Sequence, residues 1–308
     1  MAAEGEAAGA IVAAVCVGAA RQGPRSPRDA VTLVRGVGIA EDGQRGTTHR
    51  QLCLMAAHEG AGEPGALGEN LRTRGLALGS IADGRRLRIG ARAVIQVTDR
   101  ATIATAGDEA PRLQVFARCV RGGEVRPGDA IATDPSFDRP RYAVLTLSDR
   151  RAGGALPDES GALAVTMLSQ ALAAPPIAVE VLPDDAELIK ARLVTLADEH
   201  LCDLIVTTGG TGLAPRDVTP EATLAVIDRQ VPGIAEAIRA GGLAKTPLAM
   251  LSRAVAGQRG STLIVNLSGS PRAVREQLEV LVPVLPHVLT TASGVPQSCG
   301  QGVASDAR

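Results

Sequence analysis

The sequence predicts an α/β protein in two parts, a β-barrel over residues 8–134 followed by a three-layer α/β/α domain with a mostly parallel sheet over residues 141–292. Three observations carry that reading. The chain has 308 residues, about twice the usual size of a domain. Its hydrophobic pattern changes once, from short apolar runs separated by glycine turns to apolar runs that alternate with helical stretches. Between the two patterns lies Asp134-Pro-Ser-Phe-Asp-Arg-Pro140, a polar segment with two prolines that reads as a linker.

In the first part the strand-like runs are Ile11 to Val17, Val31 to Val34, Leu87 to Ile89, Val94 to Val97 and Val115 to Val120. Their spacing suggests an antiparallel barrel. The Ala/Val-rich stretch at 7–20 has the apolarity of a signal peptide, but Glu4 and Glu6 precede it and no basic residue does, so it predicts the first strand. In the second part Tyr142 to Leu147, Ile177 to Leu182, Leu204 to Thr208 and Leu263 to Leu267 predict strands, and 160–173, 185–199, 219–230, 232–241 and 271–285 predict helices. Such alternation implies a parallel sheet covered by helices on both faces.

Composition narrows the function. Hydrophobic residues make up 45% of the chain but aromatics only 1%, so the cores are packed with Ala, Val, Leu and Ile, and stacking of a base on an aromatic ring is not expected. A net charge of -1 argues against wholesale nucleic-acid binding, so any anion site must be local. The five cysteines (Cys16, Cys53, Cys119, Cys202, Cys299) are scattered and form no Cys-x-x-Cys, which fits a reducing compartment and no zinc site. No run approaches a membrane span, and a cytoplasmic location is expected.

Thr207 to Ala222 is the most informative segment. The apolar run Asp203-Leu-Ile-Val206 feeds Thr207-Thr-Gly-Gly-Thr-Gly212 at the carboxyl end of a buried strand, where open α/β sheets bind ligands. Gly209, Gly210 and Gly212 are expected to take positive φ and turn their N–H groups inward as an anion nest, with Thr207, Thr208 and Thr211 adding hydroxyls. Thr219 is the expected N-cap and Pro220 the first residue of a helix that starts beside Asp217. A plain chain reversal is the alternative. Neither a Walker loop nor a dinucleotide fingerprint is present, so a nucleotide here needs another source of positive charge, and carboxylate-held Mg²⁺ is the obvious one.

Residues 141 to about 290 resemble the molybdopterin adenylyltransferase family of molybdenum-cofactor assembly. The matching segments run in order: Leu147-Ser-Asp-Arg150, Asp158-Glu-Ser-Gly161, Pro183-Asp-Asp185, the Thr207 loop, Pro232-Gly-Ile, Met250-Leu-Ser-Arg253 and Leu263-Ile-Val-Asn-Leu-Ser-Gly-Ser-Pro271. Ser268 departs from the family, which usually has proline there. The resemblance implies attack of molybdopterin's terminal phosphate on the α-phosphorus of ATP, with pyrophosphate leaving. Positioning and charge neutralisation then carry most of the catalysis. Asp184 and Asp217 match the family's essential acids and are the candidate Mg²⁺ ligands, although Asp184 alone also reads as a helix N-cap with Glu187 completing a capping box. Asp158 matches a nucleotide-side acid and competes with a cap role. Ser148, Thr208, Gly209, Gly210, Thr211, Gly212, Ser252, Asn266, Gly269 and Ser270 complete the implied binding set, and Arg150 is a candidate phosphate neutraliser. His200 and His287 are expected to be surface or structural residues. The resemblance also implies a homotrimer and contact with other cofactor-assembly proteins.

The first part resembles a MOSC domain, a sulfur-carrier module, through Gly68-Glu-Asn-Leu71, Leu87-Arg-Ile-Gly90 and Phe116 to Asp129. The family's usual cysteine is missing after Val97-Thr-Asp-Arg100, where Ala101 to Gly107 carries none, and the segment before His49-Arg-Gln51 is shortened. Cys119 is expected in the core. Arg72, Arg74, Arg118, Arg121 and Arg126 are either a basic face for an anionic pterin or molybdate, or scattered solvated arginines. The expected activity is thus Mg²⁺- and ATP-dependent adenylylation of molybdopterin. The rivals are a non-catalytic cofactor carrier, cofactor sulfuration and molybdate insertion.

Overall fold

The computed structural model describes residues 9–46, 49–57, 62–104, 111–133 and 135–294. The amino-terminal half contributes β1 (Ile11–Val17), β2 (Ser26–Arg28), β3 (Val31–Val34), β4 (Gly38–Ile39), β5 (Leu52–Ala56), β6 (Leu71–Arg74), β7 (Arg86–Ile89), β8 (Ala93–Ile103), β9 (Arg112–Arg121), β10 (Gly123–Val125) and β11 (Ile131–Thr133). Eight of these form one sheet in the order β11-β7-β8-β9-β5-β6-β1-β2, and β10-β3-β4 form a second. The chain entering β11 is hydrogen-bonded to the start of β1: the Val12 N–H donates to Asp129 O at 2.9 Å and the Ile131 N–H donates to Ala10 O at 2.7 Å.

Two features depart from the antiparallel expectation. β5 and β6 pair in parallel, with Leu54 opposite Leu71 and Ala56 opposite Thr73, which a tight hairpin cannot produce. β6 itself was hidden by polarity, since its Arg72 and Thr73 are buried and Arg72 is neutralised by buried Glu69.

The carboxy-terminal half has β12 (Tyr142–Leu147), α1 (Asp149–Ala152), α2 (Glu159–Leu172), β13 (Ala178–Leu182), α3 (Ala186–Asp198), β14 (Leu204–Thr208), α4 (Thr219–Leu224), β15 (Arg229–Gln230), α5 (Pro232–Leu243), β16 (Ala256–Arg259), β17 (Thr262–Leu267), α6 (Pro271–Leu281) and α7 (Leu285–Ala292). The sheet order is β13-β12-β14-β17-β16-β15, in which β13, β12, β14 and β17 pair in parallel and β16 pairs antiparallel with both β17 and β15. Alternate strand residues face opposite layers. Tyr142, Val144, Val206 and Val265 pack with Leu168, Ile238 and Leu278, whereas Ala143, Leu145, Ile205 and Ile264 pack with Ile189, Leu193 and Ala222. The result is the expected three-layer α/β/α arrangement. The helix expected over 219–230 stops at Leu224, because Arg229 and Gln230 pair with β16 instead. The helix expected over 271–285 breaks into α6 and α7 at a 3-10 turn, where Pro283 and Pro286 remove backbone donors. No helix among the described residues is long and apolar enough to cross a membrane.

The expected linker is docked. Pro135–Phe137 form a 3-10 turn, and the Phe137 ring lies between the guanidinium groups of Arg86 and Arg141, at 5.2 and 5.0 Å. Arg86 crosses from β7 to Leu201 O at 3.1 Å and Asp203 Oδ1 at 2.5 Å, and Val94 and Val120 pack on Leu201. Arg35 pairs with Asp198, and Arg92 with Glu199. Asp198, Glu199 and Asp203 lie where chains enter the parallel sheet, so the amino-terminal half covers the amino end of that sheet.

Candidate active site

The other end of the sheet is open. Chains leave β12, β13, β14 and β17 toward the same edge, which brings 148–150, 183–185, 209–212 and 268–270 together at the switch between neighbouring crossovers. A cleft of about 480 Å³ lies there, walled by Gly209 to Gly212, Asp217, Ser252 and Ser268 to Ser270. Ile238, Leu248 and Leu251 supply apolar surface and Glu276 and Gln277 a polar edge; among the described residues no aromatic lines it.

Glycine is required in the loop for two different reasons. Gly209 and Gly210 have φ of +98° and +60°, and an added Cβ would lie 2.3 Å from Leu147 O or from Thr219 Oγ1, respectively. Gly212, contrary to expectation, is not left-handed; a Cβ there would meet Asp217 Oδ2 at 2.8 Å. The Gly209 N–H is consumed by Leu267 O at 3.1 Å, whereas the amides of Gly210, Thr211 and Gly212 bond to nothing among the described residues. Thr219 is not the N-cap. It is the first helical residue, and its hydroxyl donates to Gly209 O at 3.0 Å.

Asp217 turns one oxygen to the Ala214 N–H at 2.8 Å and lines the cleft with the rest. Asp184 is not the cap of α3 either, because Asp185 fills that role by accepting from the Glu187 and Leu188 amides. Asp184 is tied to Asp149 reciprocally, each backbone N–H donating to the other's carboxylate at 3.0 Å. Its Oδ1 is buried without a hydrogen-bond partner beside Gly210. Burial, with smaller contributions from the charges of Asp149 and Asp217, pushes its pKa up. A hard cation fits that oxygen. Among the described residues no group of three or more His, Cys, Asp or Glu is placed to hold a metal. Asp217 lines the cleft and Asp184 stands behind Gly210, so these are the two carboxylates nearest the glycine loop.

Sequence reasoning missed Asp149 and Arg216. Arg216 donates to Asp149 Oδ2 at 2.6 and 2.9 Å and holds the Asp149 carboxyl below its ordinary range. Both stood next to chosen residues, in Leu147-Ser-Asp-Arg150 and Arg216-Asp217, and that adjacency was the available signal.

Other predicted residues support the cleft from behind. Asp158 caps α2, accepting from Thr146 Oγ1, Ser160 Oγ and the Gly161 N–H. Thr208 is buried against Thr146 and Ser160, and Asn266 is buried with its amide donating to Thr207 and Thr223 hydroxyls. Ser148 caps α1, Ser270 caps α6, and Arg150 is exposed and does not line the cleft. Gly269 lets two loops touch, since a Cβ on it would sit 3.2 Å from Gly209 Cα. His200 and His287 are exposed.

Of Arg72, Arg74, Arg118, Arg121 and Arg126 in the amino-terminal half, four are engaged and Arg74 is exposed. Arg72 pairs with buried Glu69, Arg118 donates to Gln96 and Arg121 to Glu199 O at the junction, and Arg126 pairs with Glu124. A separate cavity of about 470 Å³ is lined by Arg21, Arg25, Arg50, Cys53 and Phe116. Cys119 is buried, and burial pushes its thiol up to about 12. Burial likewise raises Cys16 to about 11 and Cys53 to about 12. Cys299 and residues 105–107 lie outside the described residues.

Residues 143–287 match the family described as "Probable molybdopterin binding domain". The molybdopterin adenylyltransferase of Helicobacter pylori strain J99 is 43% identical over 152 residues, covering 49% of this chain and 86% of that protein. That of Escherichia coli K12 is 42% identical over 140 residues, covering 45% and 72%. Among solved structures, the molybdopterin biosynthesis enzyme MoaB of Thermus thermophilus is 48% identical over 51% of this chain and 99% of its own, with a TM-score of 0.46. Through its second half, the chain belongs to the molybdopterin-binding family that includes the molybdopterin adenylyltransferases.

Proposed function

We propose that residues 141–292 transfer AMP from ATP to molybdopterin, forming a bond between the pterin's terminal phosphate oxygen and the α-phosphorus while pyrophosphate leaves. The observation that carries this reading is the pairing, at one sheet edge, of unbonded loop amides with Asp217 and the partnerless oxygen of Asp184. The amides donate to phosphate oxygens, and the Gly269–Gly209 contact fixes the two loops that bracket the reacting groups. Mg²⁺ held by Asp184 and Asp217 would supply neutralisation of the polyphosphate. The apolar wall of Ile238, Leu248 and Leu251 shelters a ring system without aromatic stacking.

Residues 8–134 we read as a MOSC-like barrel that binds cofactor without transferring sulfur. The hydrogen bonds that tie the β11 end of its sheet back to β1 and the raised thiols support that reading. A homotrimer is part of the proposal and is read by light scattering. Incubation with molybdopterin and Mg-ATP should yield adenylyl-molybdopterin and pyrophosphate in equal amounts. Retention of both substrates unchanged would overturn the assignment in favour of a carrier.

A further inference from the structure

We infer that Thr219 and Arg253 are positioning residues that aim the glycine-loop amides at the nucleotide's phosphates; this rests on the reading of the cleft as a phosphate site. Four consecutive carbonyls of the loop are held by these two residues. Thr219 donates its hydroxyl to Gly209 O at 3.0 Å and its N–H to Gly210 O at 3.2 Å. Arg253 donates its N–H to Thr211 O at 2.9 Å and its Nε to Gly212 O at 2.6 Å. In a planar trans peptide the C=O and the following N–H point in opposite directions. Anchoring the carbonyls therefore turns the N–H groups of Gly210, Thr211, Gly212 and Leu213 away from Thr219 and Arg253. None of those four amides has a partner among the described residues, and the first three residues wall the cleft.

The guanidinium of Arg253 is already engaged. Its Nη1 pairs with Glu221 and its Nη2 donates to Asp217 O, so the same side chain ties the loop to the backbone of the cleft carboxylate. Its contribution is thus geometric, through a planar fork, and a lysine's single ammonium cannot span the same acceptors.

The test uses the full chain and two readouts, calorimetric binding of inorganic tripolyphosphate with Mg²⁺ and the KM and kcat of AMP transfer. Thr219→Val and Arg253→Lys should each weaken tripolyphosphate binding and raise KM for ATP roughly tenfold, the scale of a few misaligned donors, with KM for molybdopterin unchanged. Thr219→Ser restores the hydroxyl and should stay within about twofold of wild type. Wild-type affinity in Arg253→Lys would show that charge alone matters, and an equal loss in Thr219→Ser and Thr219→Val would reduce Thr219 to packing; either result overturns the inference. Absence of tripolyphosphate binding by the wild type overturns it as well. Binding with these variant effects but no AMP transfer would instead refute the proposed reaction and leave the inference standing.

Discussion

The two ends of the parallel sheet solve opposite problems. At the amino end polar groups are paired across the junction: Asp203 takes Arg86 and the Arg141 amide, and Asp198 takes Arg35 and Arg259. At the carboxyl end, roughly 16 Å away along five-residue strands, amides stand unbonded and a buried carboxylate oxygen has no partner. The same sheet therefore leaves polar groups unpaired at one end and pairs them at the other. The difference supports the proposed site at the carboxyl end, because unsatisfied buried polar groups are costly unless a ligand completes them.

The sharpest way to break the comparison is to remove charge at the open end. Asp217→Asn should lower kcat by at least ~100-fold, on the scale of losing a transition-state electrostatic contact, with the circular dichroism spectrum unchanged. Near-normal turnover would leave the carboxyl end without its assigned chemistry.

Next in size is Gly210→Val. The notional Cβ points at Thr219 Oγ1 and Asp184 rather than into the cleft, and φ of +60° disfavours any side chain. ATP affinity should fall and the fold lose about 2 kcal/mol; unchanged affinity in a folded variant would make the loop purely structural.

Asp184→Asn separates stability from activity. Folding raises the pKa of Asp184, so the native state holds that proton more tightly than the unfolded chain. Its stabilising contribution is present below the ordinary carboxylate pKa and is lost as pH rises through the raised value. Without Mg²⁺ and nucleotide, the variant should therefore melt higher than wild type at neutral pH and lose that advantage in acid, while turnover falls. A melting temperature lower than wild type at neutral pH would contradict the burial argument.

At the closed end, Arg86→Ala should cost about 2 kcal/mol by stranding Asp203 and Leu201 O, while kcat at saturating substrates stays the same. A collapse of kcat would mean that the junction and the cleft are coupled. The smallest effect concerns sulfur. With its thiol near 12, Cys119 should acquire no persulfide from a sulfur donor, as intact-mass spectrometry would reveal, and Cys119→Ser should change nothing in AMP transfer.

Patterns local in sequence were legible. Tyr142–Leu147 and Leu204–Thr208 are strands with the expected bounds, since a continuous apolar β-branched run has one favourable burial. The glycine loop and Asp217 were legible as a candidate site because the glycines and the carboxylate stand within a few residues of one another, and the structure places Asp217 and Gly209 to Gly212 in one cleft. Strand β6 was not, because its buried Arg72 is compensated by Glu69 and by carbonyls of Gly62 and Glu63, all outside the strand.

By itself the sequence determined the switch from β-rich to α/β organisation, the strands of the parallel sheet and the segment proposed to bind phosphate, because hydrophobic period and turn chemistry act over a few residues. Only the tertiary structure decided that Asp149, Asp184 and Arg216 meet, that Asn266 and Asp158 brace the site, and that Arg253 reaches the loop from 41 residues away. It also turned the expected linker into a docked junction, with Phe137 between two arginines. The physical reason is the same in each case: these contacts join chain segments far apart in sequence, and their partners exist only once the sheet has set the strand order.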